Sequence, residues 1–210
     1  DLIYALRQNG LEAKITSLQT SGKCFNFGKA FQEKDNSFCA NKKKKNLLNK
    51  NWGLVDAIYL HDHWPKLDLE NLREIIKSIR KLSDAPIYVF GPKMIYKEQV
   101  PEIIRSSNSV SAAAINKFAD QFEQKKLKLT INQKLLEEFK SPYYREANVN
   151  YIDILTLQGG EDYDSFDIVS EDNLQFLYFD ASHLTKRGSK RLGKKLKSEH
   201  PSLFNIKETE

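Results

Sequence analysis

The fold is decided by residues 69–92, which read LENLREIIKSIRKLSDAPIYVFGP. Apolar residues recur at helical spacing over residues 69–82 and the opposite face is polar, which predicts an amphipathic helix. Asp84-Ala85-Pro86 breaks this helix, and Ile87-Tyr88-Val89-Phe90 then forms a buried strand that Gly91-Pro92 ends. The stretch therefore predicts a helix followed by a buried strand, the unit from which α/β folds are built.

Helices and strands alternate in the same way along the rest of the chain. Strands are predicted at residues 12–18, 55–60 and 149–154, a hairpin at 166–169 with 176–179, and helices at 1–9 (with Gly10 as C-cap), 42–51, 112–124, 132–139 and 185–198. This order predicts an α/β fold, in which a mostly parallel sheet carries helices on both faces. In such sheets the reacting groups lie in the loops that follow the carboxyl ends of the strands.

The composition limits the class of protein. The 210 residues are 40% hydrophobic and 29% charged, a globular balance that excludes a disordered chain, a collagen repeat and a bare coiled coil. No run of residues approaches the roughly 18–20 apolar residues that are needed to cross a bilayer. The formal net charge is +5, and the basic residues concentrate at residues 42–45 and 186–197.

The basic stretch at residues 186–197 has two interpretations. It fits the solvated face of an amphipathic helix whose buried side carries Leu192 and Leu196. It also fits a surface for nucleic acid or another polyanion, which charge alone would attract. Because the sequence has neither zinc-finger spacing nor an aromatic RNA-binding run, we expect no nucleic-acid partner.

Two loops after predicted strands carry candidate binding groups. Leu60-His61-Asp62-His63-Trp64 places two histidines on either side of an aspartate, which fits a metal site, a pocket wall or the cap of the next helix. No third metal ligand is evident in the sequence, so we expect no metal. Thr20-Ser21-Gly22-Lys23 follows the first predicted strand, and Gly22 there fits either an ordinary turn or a backbone that offers N–H groups to an oxyanion.

The two cysteines are Cys24 and Cys39, and neither lies in a Cys-x-x-Cys motif. A disulfide between them would close a loop of about 15 residues and stabilise the fold by roughly 3 kcal/mol. The spacing alone leaves two interpretations open, a disulfide and two unrelated buried thiols.

A third loop, Asp180-Ala181-Ser182-His183, precedes the last predicted helix. An aspartate and a histidine at this spacing share one turn, so the carboxylate can orient the imidazole through Nδ1–H and leave Nε2 to act as a base. The alternative is a helix N-terminus, capped by Ser182 or Thr185, with Asp180 near the positive end of the helix. We expect Ser182 to point away from its neighbour His183 and therefore not to be a nucleophile.

Residues 178–188, YFDASHLTKRG, resemble the last conserved block of SGNH hydrolases. The form of the block is typical of the SGNH domain fused behind membrane acyltransferase-3 proteins, which are carbohydrate O-acetyltransferases. The resemblance extends over essentially the whole chain. It includes Val89-Phe90-Gly91-Pro92 followed by Val100-Pro101-Glu102, the strand-plus-tryptophan segment Ile58-Tyr59-Leu60 to Trp64, and the cysteine pair.

The resemblance implies a flavodoxin-like three-layer α/β/α SGNH fold with a mostly parallel sheet, as a single domain over residues 1–210. It implies Ser-His-Asp acyl transfer without a cofactor, in which Asp180 orients His183 and His183 is the general base. It also implies the remaining site residues: Gly22, His63 and Trp64 at the oxyanion or substrate pocket, and Cys24 and Cys39 as a disulfide.

The nucleophile of the family is the serine of a Gly-Asp-Ser block at the end of the first strand. The sequence contains no Gly-Asp-Ser, and residues 1–6 match the helix that follows this block. We therefore expect the first strand and the serine to lie upstream of Asp1. The family's asparagine block is also absent, because Leu60-His61-Asp62-His63-Trp64 occupies its place.

The resemblance implies an extracytoplasmic O-acyltransferase domain that transfers acetyl groups to hydroxyls of a cell-surface glycan. The implied partners are an acyltransferase-3 transmembrane domain on the donor side and a carbohydrate acceptor such as lipopolysaccharide O-antigen or peptidoglycan. The implied location is the periplasmic or extracellular face, tethered to the cytoplasmic membrane. The alternatives are a stand-alone SGNH esterase or deacetylase and a catalytically inactive glycan-binding SGNH domain.

Overall fold

The structure is a computed structural model that describes residues 2–11, 52–62, 64 and 67–204. Several predictions therefore lie outside the described residues. They are the strand at 12–18, the helix at 42–51, the loop with Gly22, the residue His63 and the pairing of Cys24 with Cys39.

The described residues form eight α-helices and three strands. The helices are α1 (Leu2–Arg7), α2 (Leu69–Arg80), α3 (Val100–Ser106), α4 (Ala112–Ala119), α5 (Lys125–Glu138), α6 (Pro142–Glu146), α7 (Ile154–Gly159) and α8 (Lys186–Glu199). The strands are β1 (Ile58–His61), β2 (Ile87–Phe90) and β3 (Val149–Ile152). Short 3₁₀ helices lie at Trp52–Leu54, Asp120–Phe122 and Pro201–Leu203.

The three strands form a parallel sheet in the order β1-β2-β3. Ile87 at the start of β2 pairs with Ile58 on one side and with Val149 on the other. Parallel neighbours need long crossover connections, which α2 supplies between β1 and β2 and helices α3 to α6 supply between β2 and β3. The prediction of an α/β fold with a mostly parallel sheet is confirmed.

All four residues of β2 are buried, and successive side chains point to opposite faces of the sheet. Ile87 and Val89 pack into a core that contains Leu72, Ile76 and Ile79 of α2 together with Ile131 and Leu135 of α5. Tyr88 and Phe90 pack into a second core, with Leu6 of α1, Val100 and Ile103 of α3, Ile115 of α4, Leu155 of α7 and Leu192 and Leu196 of α8. Helices thus cover both faces of β2, which gives the three-layer α/β/α arrangement.

Helix α2 and strand β2 agree closely with the predictions made from the sequence. Strand β2 has the predicted bounds, and α2 begins at the predicted residue after Asp68, whose side chain accepts a hydrogen bond from the Asn71 N–H at 3.0 Å. Gly10 adopts a φ of +98°, which agrees with its predicted role at the end of α1.

Several predicted bounds are wrong. Strand β1 begins at Ile58 and not at residue 55, and β3 ends at Ile152 because Asp153 accepts the Thr156 N–H and starts α7. The helix predicted at 132–139 begins earlier, at Lys125, and the one predicted at 112–124 gives way to 3₁₀ structure after Ala119. The hairpin predicted at 166–179 is reduced to a single antiparallel bridge between Val169 and Phe176.

Among the described residues, every helix is too short or too polar to cross a membrane.

Candidate active site

The loop before α8 is anchored on the segment that leaves the carboxyl end of β2. The Tyr96 N–H donates to the Ala181 carbonyl at 2.9 Å, and the Tyr178 hydroxyl donates to the Met94 carbonyl at 3.3 Å. An antiparallel bridge between Tyr178 and Leu184 closes the loop on itself. The candidate acid–base residues are therefore held at the edge of the sheet where α/β proteins carry their chemistry.

Asp180 and His183 are hydrogen bonded side chain to side chain. Asp180 Oδ2 lies 2.7 Å from His183 Nδ1. The other oxygen, Oδ1, accepts the backbone N–H groups of Ser182 and His183, both at 2.7 Å. The side chain of His183 is 52% exposed and that of Asp180 is 28% exposed, so the imidazole remains accessible to a substrate.

The carboxyl group of Asp180 is strongly acidic. Burial is the largest influence and raises its pKa, but hydrogen bonds from the Ser182 backbone, the imidazole and the His183 backbone together lower the pKa to about 2. Asp180 is therefore a carboxylate at any physiological pH. A fixed carboxylate at Nδ1 orients the imidazole and stabilises the imidazolium that forms when Nε2 accepts a proton.

Thr185 is the N-cap of α8. Its Oγ1 accepts a hydrogen bond from the Gly188 N–H at 3.1 Å. Of the residues proposed as caps, Thr185 has this role, whereas both oxygens of Asp180 bond within its own turn and to the imidazole. The N-cap interpretation therefore applies to Thr185, and the acid–base role of Asp180 and His183 stays a prediction.

The expectation that Ser182 points away from His183 is wrong. Ser182 Oγ lies 3.3 Å from His183 Nδ1 and 3.3 Å from Asp180 Oδ1, because residues 180–183 form a tight turn around the carboxylate. Its neighbour on the imidazole is nevertheless Nδ1, the nitrogen that bonds to Asp180. Ser182 is therefore not placed to lose its proton to Nε2, and the geometry gives it no role as the nucleophile.

Trp64 connects the loop after β1 to the end of β2. Its indole N–H donates to the Phe90 carbonyl at 2.9 Å, and only 6% of the residue is exposed. Its backbone lies in the left-handed region, with a φ of +49°, which is unusual for a bulky residue. These contacts hold the edge of the sheet together, and a direct role of Trp64 in a substrate pocket stays a prediction.

The family model described as the SGNH domain (fused to AT3 domains) matches residues 1–198. The chain belongs to this family. AT3 is the acyltransferase-3 domain, so the predicted resemblance of the chain to the SGNH domain of acyltransferase-3 proteins is confirmed.

A solved structure is also similar to this SGNH domain: the lipopolysaccharide acetyltransferase periplasmic domain of Salmonella ser. Paratyphi A. The TM-score is 0.59 at 14% sequence identity, and the match covers 77% of this chain and 62% of the solved chain. At this identity the similarity supports the SGNH-like fold. No curated protein matches the chain in sequence.

Two buried lysines of the SGNH domain were missed by the sequence reasoning. Lys93, which follows β2, is 8% exposed, and Lys128 of α5 is 1% exposed. Lys128 Nζ donates to the Trp64 carbonyl at 3.2 Å. Lys93 stands in a loop after a predicted strand, which was an available signal. Lys128 shares a helix face with Ile131 and Leu135, which only the longer helix reveals.

The charges of these lysines are coupled to two carboxylates. Burial lowers the pKa of Lys93 to about 8, and the nearby Asp180 opposes this change. Burial also lowers the pKa of Lys128, where Asp62 acts in the opposite direction and Lys93 adds to the lowering. Lys93 is thus electrostatically coupled both to the Asp180–His183 pair and to Lys128.

A buried polar network supports the sheet edge on the β3 side. Asn132 donates to Asp153 Oδ2 at 2.9 Å and accepts a hydrogen bond from the Tyr151 hydroxyl. Gly91 at the end of β2 permits this arrangement, because a Cβ there would lie 2.1 Å from the Tyr151 hydroxyl oxygen. Within the described residues, no group of three His, Cys, Asp or Glu side chains could hold a metal ion.

Proposed function

We propose that this SGNH domain carries out acyl transfer in an extracytoplasmic carbohydrate O-acetyltransferase. The observation that carries the proposal is the 2.7 Å hydrogen bond between Asp180 Oδ2 and His183 Nδ1. This contact is the one that a Ser-His-Asp triad requires between its aspartate and its histidine. The family also supports the proposal, because its domains are fused to AT3 domains. Further support comes from the similar solved structure, whose title describes a lipopolysaccharide acetyltransferase periplasmic domain.

In the proposed reaction, His183 Nε2 accepts the proton of a serine hydroxyl while the serine oxygen attacks the acetyl carbonyl. The imidazolium then gives this proton to the leaving group of the donor, and an acetyl-serine ester remains. A sugar hydroxyl next attacks the ester, Nε2 accepts its proton, and the proton returns to the serine oxygen. Asp180 stabilises the imidazolium in both halves of the reaction.

The proposed nucleophile is the serine of a Gly-Asp-Ser block, which residues 1–210 do not contain. The family places this block directly before the helix that matches α1. In the structure α1 packs against α8, the helix that follows His183. This packing supports a nucleophile near the start of α1 that shares one cleft with the imidazole.

We propose an AT3 membrane domain as the partner on the donor side and a cell-surface glycan, such as lipopolysaccharide O-antigen or peptidoglycan, as the acceptor. The proposed location is the periplasmic or extracellular face, with the domain tethered to the cytoplasmic membrane. A disulfide between Cys24 and Cys39 would fit such an oxidising compartment.

The test compares His183→Ala with His200→Ala in the full-length protein, by counting O-acetyl groups on the isolated glycan. His200 lies beyond the opposite end of α8, so it is the matched control. We expect His183→Ala to lower acetylation by about three to four orders of magnitude and His200→Ala to leave it near normal. Near-normal acetylation by His183→Ala would refute the proposal. Release of free acetate without transfer to glycan would instead indicate an esterase.

A further inference from the structure

Two lysines are buried in the part of the domain that carries the proposed acid–base pair, Lys93 with 8% and Lys128 with 1% of its surface exposed. Lys93 lies in the loop after the central strand β2, and Lys128 lies on α5. Lysine is almost never buried to this degree unless nearby groups compensate its charge, because removing an ammonium group from water is costly. Both lysines lie at the carboxyl end of the sheet, and a chemical role there would explain why this costly burial is retained.

Each lysine is linked to one of the loops at the carboxyl end of the sheet. Lys128 donates to the Trp64 carbonyl at 3.2 Å, so its ammonium group helps to fix the loop after β1. Lys93 lies close enough to Asp180, the carboxylate that orients His183, for the charge of Asp180 to oppose the lowering of the Lys93 pKa by burial. The bond from the Tyr96 N–H to the Ala181 carbonyl, at 2.9 Å, fixes the Lys93 segment against the loop that carries this pair.

We propose that the ammonium group of Lys93 stabilises the oxyanion that forms on the acyl carbonyl during transfer. This inference rests on the proposed function. It gives the domain a charged oxyanion donor where the loop after β1 lacks the asparagine block of the family. Of the buried groups described here, Lys93 combines a positive charge, a place at the end of the central strand and proximity to Asp180.

The charges balance during the proposed step. The serine oxygen forms a bond to the carbonyl carbon, its proton moves to His183 Nε2, and the π electron pair of the carbonyl moves onto oxygen. The new positive charge on the imidazole lies beside Asp180, and the new negative charge on oxygen accepts a hydrogen bond from Lys93 Nζ. When the intermediate collapses, the electron pair restores the carbonyl, the leaving group departs with the proton from Nε2, and Lys93 keeps its own proton throughout.

A preorganised cation in a water-poor site is effective in this role. Stabilisation of an oxyanion by one fixed donor contributes about 10²–10³-fold to turnover in acyl-transfer enzymes. Because the oxyanion exists in the transition state and not in the bound substrate, loss of the donor lowers kcat and leaves KM nearly unchanged. A merely structural lysine would not produce this separation of kcat from KM.

The test measures kcat and KM for acetyl transfer by the full-length protein with Lys93→Met, Lys93→Arg and Lys97→Met. Methionine keeps the length of the buried side chain and removes its charge, and Lys97 is an exposed lysine of the same segment that serves as the control. We expect kcat to fall about 10²–10³-fold in Lys93→Met, to be partly retained in Lys93→Arg and to be unchanged in Lys97→Met. A Lys93→Met enzyme with wild-type kcat would overturn the proposal.

A pH profile gives a second measurement that does not require a folded variant. We expect the kcat of the wild-type protein to fall above about pH 8, as Lys93 loses its proton. The same region also contains the charged or titratable residues Asp62, Lys128, Asp180 and His183. If Lys93→Met folds, comparing its pH profile with that of the wild type separates the contribution of Lys93 to the pH dependence of kcat from the contributions of these residues. If Lys93→Met does not fold, a wild-type kcat that stays constant from about pH 7 to about pH 9.5 overturns the proposal.

The His183→Ala variant distinguishes a failure of the proposed function from a failure of the proposed role of Lys93. If His183→Ala still acetylates glycan, the proposed function fails and the role of Lys93 fails with it. If His183→Ala is inactive but Lys93→Met is fully active, the role of Lys93 alone is refuted.

Discussion

Asp180 and His183 form a closed hydrogen-bonded turn in which Asp180 Oδ2 meets His183 Nδ1 at 2.7 Å and Asp180 Oδ1 accepts the His183 N–H at 2.7 Å. Both carboxylate oxygens are therefore engaged by the same residue. The orientation of the imidazole is fixed by residues 180–183 themselves, before any substrate binds. The proposed base is therefore preorganised, and an imidazole held in this way loses little entropy when it reacts.

Asp180→Asn tests the role of the carboxylate. The asparagine keeps the shape of the turn, but it removes the charge that stabilises the imidazolium and disturbs the tautomer of His183. We expect acetyl transfer to fall by about 10³–10⁴-fold with little change in KM. Rates of transfer to glycan in the full-length protein provide the measurement.

Asp172→Asn is the matched control for this substitution. Asp172 pairs with Arg187 on the surface near the start of α8, and its side chain is 67% exposed. Removing an exposed ion pair has little energetic effect, so we expect near-normal transfer. Equal rates for Asp180→Asn and Asp172→Asn would contradict a catalytic pair.

The acidity of Asp180 also predicts how the stability of the loop depends on pH. The pKa in the folded state is about 2, below the ordinary value of 3.8, so the contribution to stability is fully present above 3.8 and is lost as the pH falls toward 2. We expect the protection factors of the Ser182 and His183 amides, which donate to Asp180 Oδ1, to fall over this range in the wild-type protein once intrinsic exchange rates are taken into account. In Asp180→Asn the loss of protection should be smaller, and equal losses in the two proteins, measured by hydrogen–deuterium exchange, would contradict the prediction.

The hydrogen bond between Asp180 and His183 could be predicted from the sequence because it is local. Both members lie within one turn, so their spacing alone brings them together. The buried lysines could not be predicted in the same way. Lys93 and Lys128 are far apart in the chain, and Lys128 is buried on a helix whose Ile131 and Leu135 pack into the same core as Ile87 and Val89 of β2. Ser182 was also misjudged, because a tight turn brings adjacent side chains toward a shared carboxylate.

For the fold as well, features that depend on neighbouring residues could be predicted, and features that depend on residues far apart in the chain could not. Strand β2 matched its prediction because four apolar residues are followed by Gly91-Pro92, which stops the strand locally. The start of β1 at Ile58 depends on pairing with Ile87 across the sheet, which the apolar run at residues 55–60 does not encode. Helices α6 and α7 contain five and six residues, too few turns to show a helical period.

Glu123→Gln should stabilise the domain at alkaline pH. Within the described residues, Glu123 Oε1 is buried without a hydrogen-bond partner, and burial together with Asp120 raises the pKa of Glu123 from 4.5 to about 7. A raised pKa of an acid means that stability is lost as the pH rises from 4.5 to about 7.

The glutamine variant has no charge to bury. We therefore expect it to gain about 1–3 kcal/mol in the free energy of unfolding above neutral pH and little at acidic pH. Glu102→Gln, on the exposed surface of α3, is the control. The measurement is the midpoint of denaturant unfolding at several pH values, and a gain of the same size at all pH values would contradict the titration of Glu123.

Gly193→Ala should separate α1 from α8. A Cβ at this position would lie 2.3 Å from the Ala5 carbonyl oxygen and 2.2 Å from Asn9 Nδ2, so the two helices could not keep their present distance. An alanine in a helix ordinarily stabilises it by about 1 kcal/mol relative to glycine, so any loss of stability reports the clash. We expect a net loss of about 1–3 kcal/mol in the free energy of unfolding, together with reduced acetyl transfer if the start of α1 positions the nucleophile.

Ser198→Ala, an exposed substitution in the same helix, is the control and should leave the stability unchanged. Hydrogen–deuterium exchange of the α8 amides measures the effect of both substitutions. A Gly193→Ala protein as stable as Ser198→Ala would show that the contact between α1 and α8 is looser than described.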